Sequence, residues 1–413
     1  MKINFDPVVA SRIKSAWGKL TPDQKHTLLP MLLKAHAQAV TVSQTKAAPQ
    51  PDPTVNHNLL LIHSALNDDQ DGVLSSLDAG VVVDVGPEGQ FWGTGKYQQL
   101  DPGWAEAGAV WLEHVFTGKH PFPNHPPVIP IDDFVQIGMA GDWGTGDWRS
   151  PANPAPSTDV ARHLANLQPD ITIHLGDVYY AGTNDQEQHL LVDIWPVGPE
   201  GSFTLNSNHE MYSGGTPYFD VALANPKFAP QKGSSFFALE NKNWVIVALD
   251  SAYYASEAGM YMDGSLGSDG VQEGFLKAQV QKGKKVIVLT HHNGLSDDGS
   301  ASNALYDQVM SAFPPNAGPA LWYWGHVHAG VAYQNFDAQG RNVPCRCCGH
   351  GALPWGQAPV FSNKTNVLWY ENRPAHDPDI PERVLNGFAV LYLNGPNIDE
   401  VFYDENGAGA WRA

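Results

Sequence analysis

The chain has 413 residues and a formal net charge of −19. Hydrophobic residues make up 42% of the chain and charged residues 16%, which is typical of a folded protein with a large core and excludes global disorder. The negative charge argues against a protein that coats nucleic acid, because such a chain would repel a phosphate backbone. An acidic chain that handles phosphate needs a local positive charge, and a bound metal would supply it.

The N-terminal residues 1–7 lack an apolar segment followed by a small-residue cleavage site, which argues against a secretory signal. The sequence contains no run of about 18 apolar residues, so we expect no membrane-spanning helix. Its three cysteines, Cys345, Cys347 and Cys348, cannot all pair within one chain. We therefore expect a cytoplasmic, reducing location.

The first part of the chain favours helices. Apolar residues three and four positions apart predict helix between residues 8 and 40, with a second helix starting at Pro22, and another helix from Trp104 to Phe116. Prolines between residues 47 and 53 indicate a linker, and the proline-rich segment 119–127 indicates a boundary. We predict an N-terminal extension of unknown role, largely helical with proline-rich linkers, at 1–130 and a second unit at 131–413.

One polar run in the extension loosely matches the spacing of a calcium-binding loop. It extends from Asn67 to Gly72 and continues to Asp78. Asparagine replaces the first acid of that pattern, and aspartate replaces the usual final glutamate. An ordinary polar turn is the favoured interpretation, and no calcium site is predicted.

From Phe134 onward, predicted strands alternate with predicted helices. The apolar run from Trp244 to Leu249 is typical of a strand that is covered on both faces. Strands are predicted near residues 134, 171, 244, 286 and 321, helices at 157–167, 184–195, 271–281 and 304–313, and a closing hairpin at 387–403. This alternation predicts sheet inside and helices outside.

Polar residues follow the predicted strands at five points. The five stretches are Gly141-Asp142-Trp143-Gly144, His174 to Tyr180, Asn206 to Glu210, Thr290-His291-His292 and Gly325 to His328. Carboxylate, amide and imidazole groups together suit iron, zinc or manganese better than calcium. A cluster of this size would hold two cations about 3.5–4 Å apart, with one carboxylate between them, and such a pair activates water and clamps phosphoryl oxygens.

Each stretch alone also has a structural explanation, as a turn or as a packed histidine. The five together, in this order, resemble the calcineurin-like metallophosphoesterases, and within them most closely the purple acid phosphatases. The resemblance covers about residues 134–335. It implies a mixed α/β or α+β fold, a four-layer αββα sandwich, with a dinuclear site at the carboxyl ends of the strands. It also implies hydrolysis of phosphate esters.

The resemblance assigns a role to each matching residue. It implies Asp142 and His328 on the first metal, Asp177 as the bridge between the metals, and Asn208, His291 and His326 on the second metal. Where many family members have a histidine after the first aspartate, this chain has Trp143-Gly144, which leaves the first metal one imidazole short.

Tyr180 matches the tyrosine that binds ferric iron in the purple subgroup, three positions after the bridging aspartate. Its alternative is a packed aromatic side chain beside Tyr179. The expected cofactors are therefore two metal ions, Fe(III) plus a divalent iron, zinc or manganese ion.

The sequence departs from the family pattern in the fourth stretch. The family has His-x-Pro there, and this chain has His291-His292-Asn293. His291 is the favoured ligand, while another alignment would choose His292, which otherwise lies near the substrate or in the core. The further histidine common in purple acid phosphatases does not occur between Asn293 and Ser311, which puts an acid-pH monoesterase profile in doubt.

The implied mechanism is in-line attack on phosphorus by a metal-bound hydroxide. His209, next to Asn208, would stabilise the transition state or protonate the leaving oxygen. Trp143 and Tyr179 are candidates for lining the substrate pocket, with packing in the core as the alternative.

We therefore expect a phosphomonoesterase of the purple acid phosphatase type that acts on a small phosphorylated substrate. The alternatives are a phosphodiesterase for cyclic nucleotides or phospholipid head groups, and a non-catalytic binding module that metals stabilise. For residues 345–348, a loop of buried small apolar residues is favoured over a soft-metal site or a vicinal disulfide. The sequence determines neither the substrate nor the oligomeric state.

Overall fold

The computed structural model of the chain describes residues 6–45, 57–66, 82–338 and 340–413. The predicted linker at 47–53 and the polar run at 67–78 lie outside the described residues. Within the described residues, every helix is too short or too polar to cross a membrane.

The N-terminal extension is largely helical, as predicted. Its elements are α1 (Pro7–Lys19), α2 (Pro22–Thr45), α3 (His57–Leu66), β1 (Val82–Val85), β2 (Phe91–Gly93) and α4 (Trp104–His114). Helix α1 begins after Asp6, whose side chain accepts a hydrogen bond from the Val8 amide, a common N-cap arrangement. Helix α1 is tied to α4 by a two-pronged ion pair in which the Arg12 guanidinium donates to Glu113 at 2.9 and 2.7 Å.

The remaining strands form two sheets. They are β3 (Val128–Pro130), β4 (Phe134–Ala140), β5 (Ile171–His174), β6 (Gly201–Thr204), β7 (Phe237–Glu240), β8 (Trp244–Ala248), β9 (Lys285–Leu289), β10 (Leu321–Trp324), β11 (Gly330–Tyr333), β12 (Cys345–Cys348), β13 (Val367–Tyr370), β14 (Gly387–Asn394), β15 (Asn397–Asp404) and β16 (Gly409–Arg412). The larger sheet has the order β13-β11-β12-β10-β9-β8-β7-β3, and the smaller sheet has the order β16-β15-β14-β4-β5-β6.

Helices cover the outer face of each sheet. They are α5 (Pro156–Asn166), α6 (Asn184–Gln186) with the π-helix Glu187–Val192, a π-helix at Tyr218–Ala222, a 3₁₀-helix at Pro226–Gln231, α8 (Val271–Val280), α9 (Ala304–Ser311) and a 3₁₀-helix at Pro359–Phe361. Helix α7 (Asn208–Tyr212) instead packs against the N-terminal extension, through Met211 and Tyr212. Leu276 of α8 and Val309 of α9 pack on the larger sheet, and Leu164 of α5 packs on the smaller sheet.

The two sheets face each other across an apolar layer. Ile137 and Ile173 from the smaller sheet share this layer with Ile246 and Ile287 from the larger sheet, and all four are fully buried. With helices on both outer faces, the predicted four-layer sandwich is confirmed.

Parallel pairing brings the candidate ligands to one edge. Strands β4, β5 and β6 are parallel neighbours, and so are β8, β9 and β10. Since parallel strands end at the same side of their sheet, the loops after β4, β5, β9 and β10 emerge together. The segments that follow these strands carry Asp142, Asp177, His291 and the His326–His328 pair.

Two local predictions differ from the structure. The helix expected at 184–195 is a three-residue α-helical turn that continues as a π-helix to Val192. Residues Cys345–Cys348, expected in a loop, form β12, which lies between β10 and β11. Their expected burial is confirmed, since all three thiols are free and fully buried in a strand that is covered on both faces.

The extension packs against the loops at the ligand-bearing edge. One continuous apolar cluster joins Leu59 and Trp111 of the extension to Tyr179, Tyr261 and Trp355 of the larger unit. Strand β3, which begins just before the predicted boundary, already pairs with β7 in the larger sheet. The extension therefore forms part of the surroundings of the candidate site, which the sequence did not predict.

One contact of the extension combines burial with negative charge. Glu88 lies in the turn between β1 and β2, and its carbonyl oxygen accepts a 2.6 Å hydrogen bond from the Trp355 indole. Burial, together with the nearby charge of Asp297, raises the pKa of Glu88 to about 7. Folding raises the pKa of this carboxyl group, so the group begins to destabilise the fold when the pH rises above its pKa in the unfolded chain. The destabilisation is complete when the pH exceeds its pKa in the folded chain.

We predict that Glu88→Gln raises the free energy of unfolding by about 1–3 kcal/mol at pH 8, because the amide removes the buried charge. At pH 4.5 the gain should vanish, since the Glu88 carboxyl is then protonated in the fold. Urea denaturation at both pH values measures this difference, with the exposed Glu382→Gln as the matched control. An equal effect of Glu88→Gln at both pH values would contradict the assignment.

Candidate metal centre

Three residues at the strand ends adopt the left-handed backbone conformation. The φ angles are +55° at Asp142, +79° at Asp177 and +65° at His326. For residues other than glycine this conformation costs about 1–3 kcal/mol each, and it is concentrated at functional sites where surrounding structure enforces it. All three residues are among the predicted metal ligands.

Two carboxylates lie buried in this cluster. Asp142 accepts a 2.8 Å hydrogen bond from the His326 amide, and Asp177 accepts one of 2.5 Å from the Ser207 hydroxyl. Burial and the charge of Asp177 raise the pKa of Asp142 well above its usual range. Burial would also raise the pKa of Asp177, but His209 and His291 outweigh it and hold that pKa well below its usual range. A positive charge is needed to stabilise both carboxylates as anions.

The His291 ring is oriented so that one nitrogen presents a lone pair to the cluster. Its Nδ1 lies 2.9 Å from the Leu175 carbonyl oxygen, which can only accept, so Nδ1 carries the proton. Burial lowers the pKa of His291 and so favours the neutral form of the ring. Its Nε2 therefore faces Asn208 Oδ1 at 2.9 Å and Asp177 Oδ1 at 3.3 Å with a lone pair. Electron-pair donors that converge without a proton between them fit a cation.

A second group of donors surrounds Asp142. The Nε2 atom of His328 lies 3.2 Å from Asp142 Oδ1 and 3.3 Å from the Tyr179 hydroxyl. Burial lowers the pKa of His328 to about 4, which leaves a neutral imidazole. The His326 ring lies 5.2 Å from the His291 ring, centroid to centroid. Donor atoms of Asp142, Asp177 and His291 lie within 4.8 Å of one another, as do those of His291, His292 and His326.

His292 differs from His291 in that both of its ring nitrogens already have partners. Its Nε2 lies 2.8 Å from the Tyr261 carbonyl oxygen and therefore donates, while its Nδ1 lies 2.9 Å from the Ser251 hydroxyl. Its ring is 4.6 Å from the His326 ring. Of the two alignments that the sequence leaves open, this geometry favours His291 as the ligand and His292 as a packed neighbour.

The two adjacent tyrosines differ in position from the sequence prediction, in which Tyr180 was the metal ligand. The Tyr180 hydroxyl donates to Asp101 of the extension, and burial and the charge of Asp101 hold the pKa of Tyr180 above its usual range. The Tyr179 hydroxyl instead donates to Asp177 Oδ2 at 2.8 Å and lies 3.5 Å from Asp142 Oδ1. The structure therefore brings Tyr179, and not Tyr180, to the carboxylates. Asp101, which binds the Tyr180 hydroxyl, lies 79 residues earlier in the chain, so the spacing of the motif could not predict this contact.

His209 lies at the edge of the cluster. Its Nδ1 is 2.7 Å from the Tyr180 carbonyl oxygen, so Nδ1 carries a proton, and its Nε2 is 3.8 Å from Asp177 Oδ2. The ring packs against Tyr179 and Trp104, with centroid distances of 4.5 and 5.7 Å. This position beside the cluster is compatible with the predicted catalytic role.

Trp143 does not lie in the pocket. It is fully buried, its indole donates to the Ser157 carbonyl oxygen at 2.8 Å, and its ring packs 5.0 Å from that of Trp195. It belongs to the core between the smaller sheet and its helices. Strand β4 ends before Asp142, and the chain turns at the left-handed Asp142, so the Trp143 side chain that follows lies on the core side.

Several residues of the site have no individual signal in the sequence. Burial and the charge of Glu187 raise the pKa of Glu210 well above its usual range. The Ser207 hydroxyl lies between the carboxyl groups of Glu210 and Asp177, within hydrogen-bond distance of both. The Trp355 ring lies 4.5 Å from that of His328. Glu210 lies within one of the five polar stretches that follow predicted strands, and this is the only feature of the sequence that indicated a place for it near the site.

Comparison with solved structures shows similarity of fold. A purple acid phosphatase from yellow lupin (Lupinus luteus) seeds is 14% identical with a TM-score of 0.50, over 71% of this chain and 54% of that one. A dimetal phosphatase from Danio rerio is 14% identical with a TM-score of 0.43, over 68% and 99% of the two chains. The chain thus spans about half the length of the lupin protein.

The sequence comparisons give one assignment. No curated protein sequence matches the chain significantly. The model of the calcineurin-like phosphoesterase family matches residues 135–330, which include every strand end of the cluster. Residues 135–330 of this chain therefore belong to the calcineurin-like phosphoesterase family.

Proposed function

We propose that the chain is a hydrolase of small phosphate esters that uses two metal ions. The observation that carries this proposal is the convergence of His291 Nε2, Asn208 Oδ1 and Asp177 Oδ1, in which the imidazole proton is held elsewhere by the Leu175 carbonyl. In the neutral tautomer of His291 this donor set has no proton to share among its three atoms, although the Ser207 hydroxyl donates to Asp177 Oδ1 from outside the set. It fits a cation.

Asp177 is suited to join two such sites. Its Oδ1 faces His291, while its Oδ2 accepts from Tyr179, whose hydroxyl lies 3.3 Å from His328. Each oxygen of one carboxylate thus belongs to a different donor group. The mixed nitrogen and oxygen donors suit iron, zinc or manganese. When bound, two such ions would polarise the phosphoryl oxygens and activate water.

The side chains around the cluster have separate tasks in this proposal. The Ser207 hydroxyl holds Asp177 in place through a hydrogen bond to its Oδ1, and Glu210 lies within hydrogen-bond distance on the other side of Ser207. His209, with Nδ1–H held by a carbonyl, presents Nε2 to the site, and when Nε2 is also protonated it would give that proton to the leaving oxygen and keep the one on Nδ1. Trp104 and Trp355 pack against His209 and His328 and exclude water from that side.

Phosphomonoesters are the first substrate class of this proposal, and phosphodiesters are the second. Tyr97, Trp104 and Tyr179 are buried beside His209, so they pack the site and do not distinguish the two classes. Hydrolysis rates for paired mono- and diesters of one alcohol distinguish the two classes.

Removal of the metals should abolish hydrolysis, since within the described residues the ion-pair partners of Asp142 and Asp177 are histidines, with no lysine or arginine among them. We expect at least a thousandfold loss of kcat after chelation, with recovery on addition of iron, zinc or manganese. Elemental analysis should show about two ions per chain before chelation. Full activity in a preparation shown to be free of metal would contradict the proposal. A fall in melting temperature, in a protein that has no activity with any metal, would instead support the binding-module alternative.

His209→Ala should lower kcat by about 10²–10⁴, because this substitution removes the proton donor. The loss should be larger for alkyl phosphates than for p-nitrophenyl phosphate, whose leaving group does not need a proton. The metal content should be unchanged. His189→Ala is the matched control, since the His189 side chain is 67% exposed and lies on the outer helices. An equal loss for both leaving groups would exclude proton donation by His209.

If ferric iron occupies the centre, the phenol that lies at the carboxylates should give the visible absorption. We predict that Tyr179→Phe removes a visible charge-transfer band and that Tyr180→Phe retains it, since only Tyr179 contacts Asp177 and Asp142. Absorption spectra of the iron-loaded variants test this. Loss of the band in Tyr180→Phe alone would restore the assignment made from the motif, and a colourless iron-loaded protein would exclude a phenolate ligand.

A further inference from the structure

We propose that Asp101, in the N-terminal extension, is a positioning residue for His209 and acts through Tyr180. The proposal rests on the phosphoesterase function proposed above. It gives the extension a task in catalysis, which neither the sequence motifs nor the family match suggests. The connection runs from the Asp101 carboxylate to the Tyr180 hydroxyl, and from the Tyr180 carbonyl to the His209 ring.

Asp101 is held rigidly in the loop that enters α4. Its Oδ2 accepts from the Tyr97 amide at 2.7 Å, and its Oδ1 accepts from the Gly103 amide at 2.9 Å. The Tyr180 hydroxyl is its third donor. The residue is 6% exposed, so water does not compete strongly for these bonds. A carboxylate with three donors, two of them backbone amides, is a fixed anchor.

Tyr180 fits closely between the extension and the larger unit. Its ring lies 4.6 Å from that of Trp104 and 4.9 Å from that of Tyr97, and the Lys96 ammonium group lies 4.4 Å from its centroid. A Cβ atom added at Gly103 would lie 2.5 Å from the Tyr180 hydroxyl oxygen. Glycine is therefore required for this close approach, and Tyr180 cannot move unless the extension moves with it.

The backbone of Tyr180 also restrains the His209 ring, through a hydrogen bond to its carbonyl oxygen. The Tyr180 carbonyl oxygen accepts the Nδ1 proton at 2.7 Å, which fixes both the tautomer and the ring plane. Trp104 of the extension also packs on the same imidazole, with centroids 5.7 Å apart. The extension thus restrains His209 twice, once through Tyr180 and once directly. The Nε2 atom remains at 3.8 Å from Asp177 Oδ2, at the edge of the candidate metal centre.

The anchor belongs to a well-packed body. Helix α4 follows Asp101 directly, and the Arg12–Glu113 ion pair and the apolar cluster around Trp111 hold it against α1 and the larger unit. A loop at the start of such a helix keeps its position better than a free surface loop. Small displacements of a proton donor have large effects on rate, so a rigid anchor for His209 has catalytic value.

A double-mutant cycle tests the connection in the full chain with its metals bound. The variants are Asp101→Ala, His209→Ala and both together, and the readouts are kcat and KM for an alkyl phosphate and for p-nitrophenyl phosphate. We expect Asp101→Ala to lower kcat about tenfold for the alkyl ester and less than about threefold for the p-nitrophenyl ester, with KM unchanged. In the His209→Ala background, Asp101→Ala should have no further effect, because the group that it positions is absent.

Additive effects in the cycle, or equal losses for both esters, would overturn the proposal, since a merely structural role would weaken the enzyme irrespective of His209. If Asp101→Ala does not fold, Tyr180→Phe takes its place in a second double-mutant cycle with His209→Ala, since this substitution removes only the hydroxyl group that contacts Asp101. Asp23→Asn, an exposed acid of α2, is the matched control in the extension. A wild-type protein that is loaded with metal and hydrolyses no ester would reject the proposed function itself, and this outcome is distinct from an additive cycle.

Discussion

The hydrogen bond between His291 Nδ1 and the Leu175 carbonyl oxygen determines the chemistry of the site. In the neutral ring it places the imidazole proton on the side away from the cluster, so that the Nε2 lone pair faces the acceptor oxygens of Asn208 and Asp177. Such an arrangement is unfavourable without a cation, because buried lone pairs and negative charge remain uncompensated. A backbone carbonyl that orients a histidine in this way is the usual outer support of a metal ligand.

The sandwich makes this arrangement possible because its sheets end at a common edge. Strands β5 and β9 belong to different sheets, yet Leu175, just after β5, meets His291, just after β9. Turning the chain directly after each strand requires positive φ at Asp142, Asp177 and His326. The surrounding apolar layers have to offset this strain, and their fully buried strands provide the rigidity.

Local patterns predicted the alternating strands and helices and the polar residues at the strand ends, whereas the family resemblance implied the four-layer sandwich and the role of each ligand. Apolar runs mark buried strands, and a polar residue directly after such a run is visible without tertiary information. The tyrosines could not be assigned in this way. Tyr179 and Tyr180 occupy neighbouring positions, and the choice between them depends on Asp101, which is distant in sequence. For Trp143, adjacency to Asp142 suggested the pocket, whereas the turn of the chain at Asp142 places the Trp143 ring in the core.

The packing of the N-terminal extension was likewise not predictable from the sequence, because it depends on contacts between distant parts of the chain. Its helices are evident from apolar periodicity, but the surface that they cover is not, because periodicity identifies a buried face without identifying its partner. The structure supplies the partner, since Trp104 and Asp101 meet His209 and Tyr180 at the edge of the candidate metal centre. A strongly acidic chain gains from this cover, because excluding water strengthens the attraction between bound cations and their carboxylate ligands. On this view, the extension and the two sheets form one functional unit.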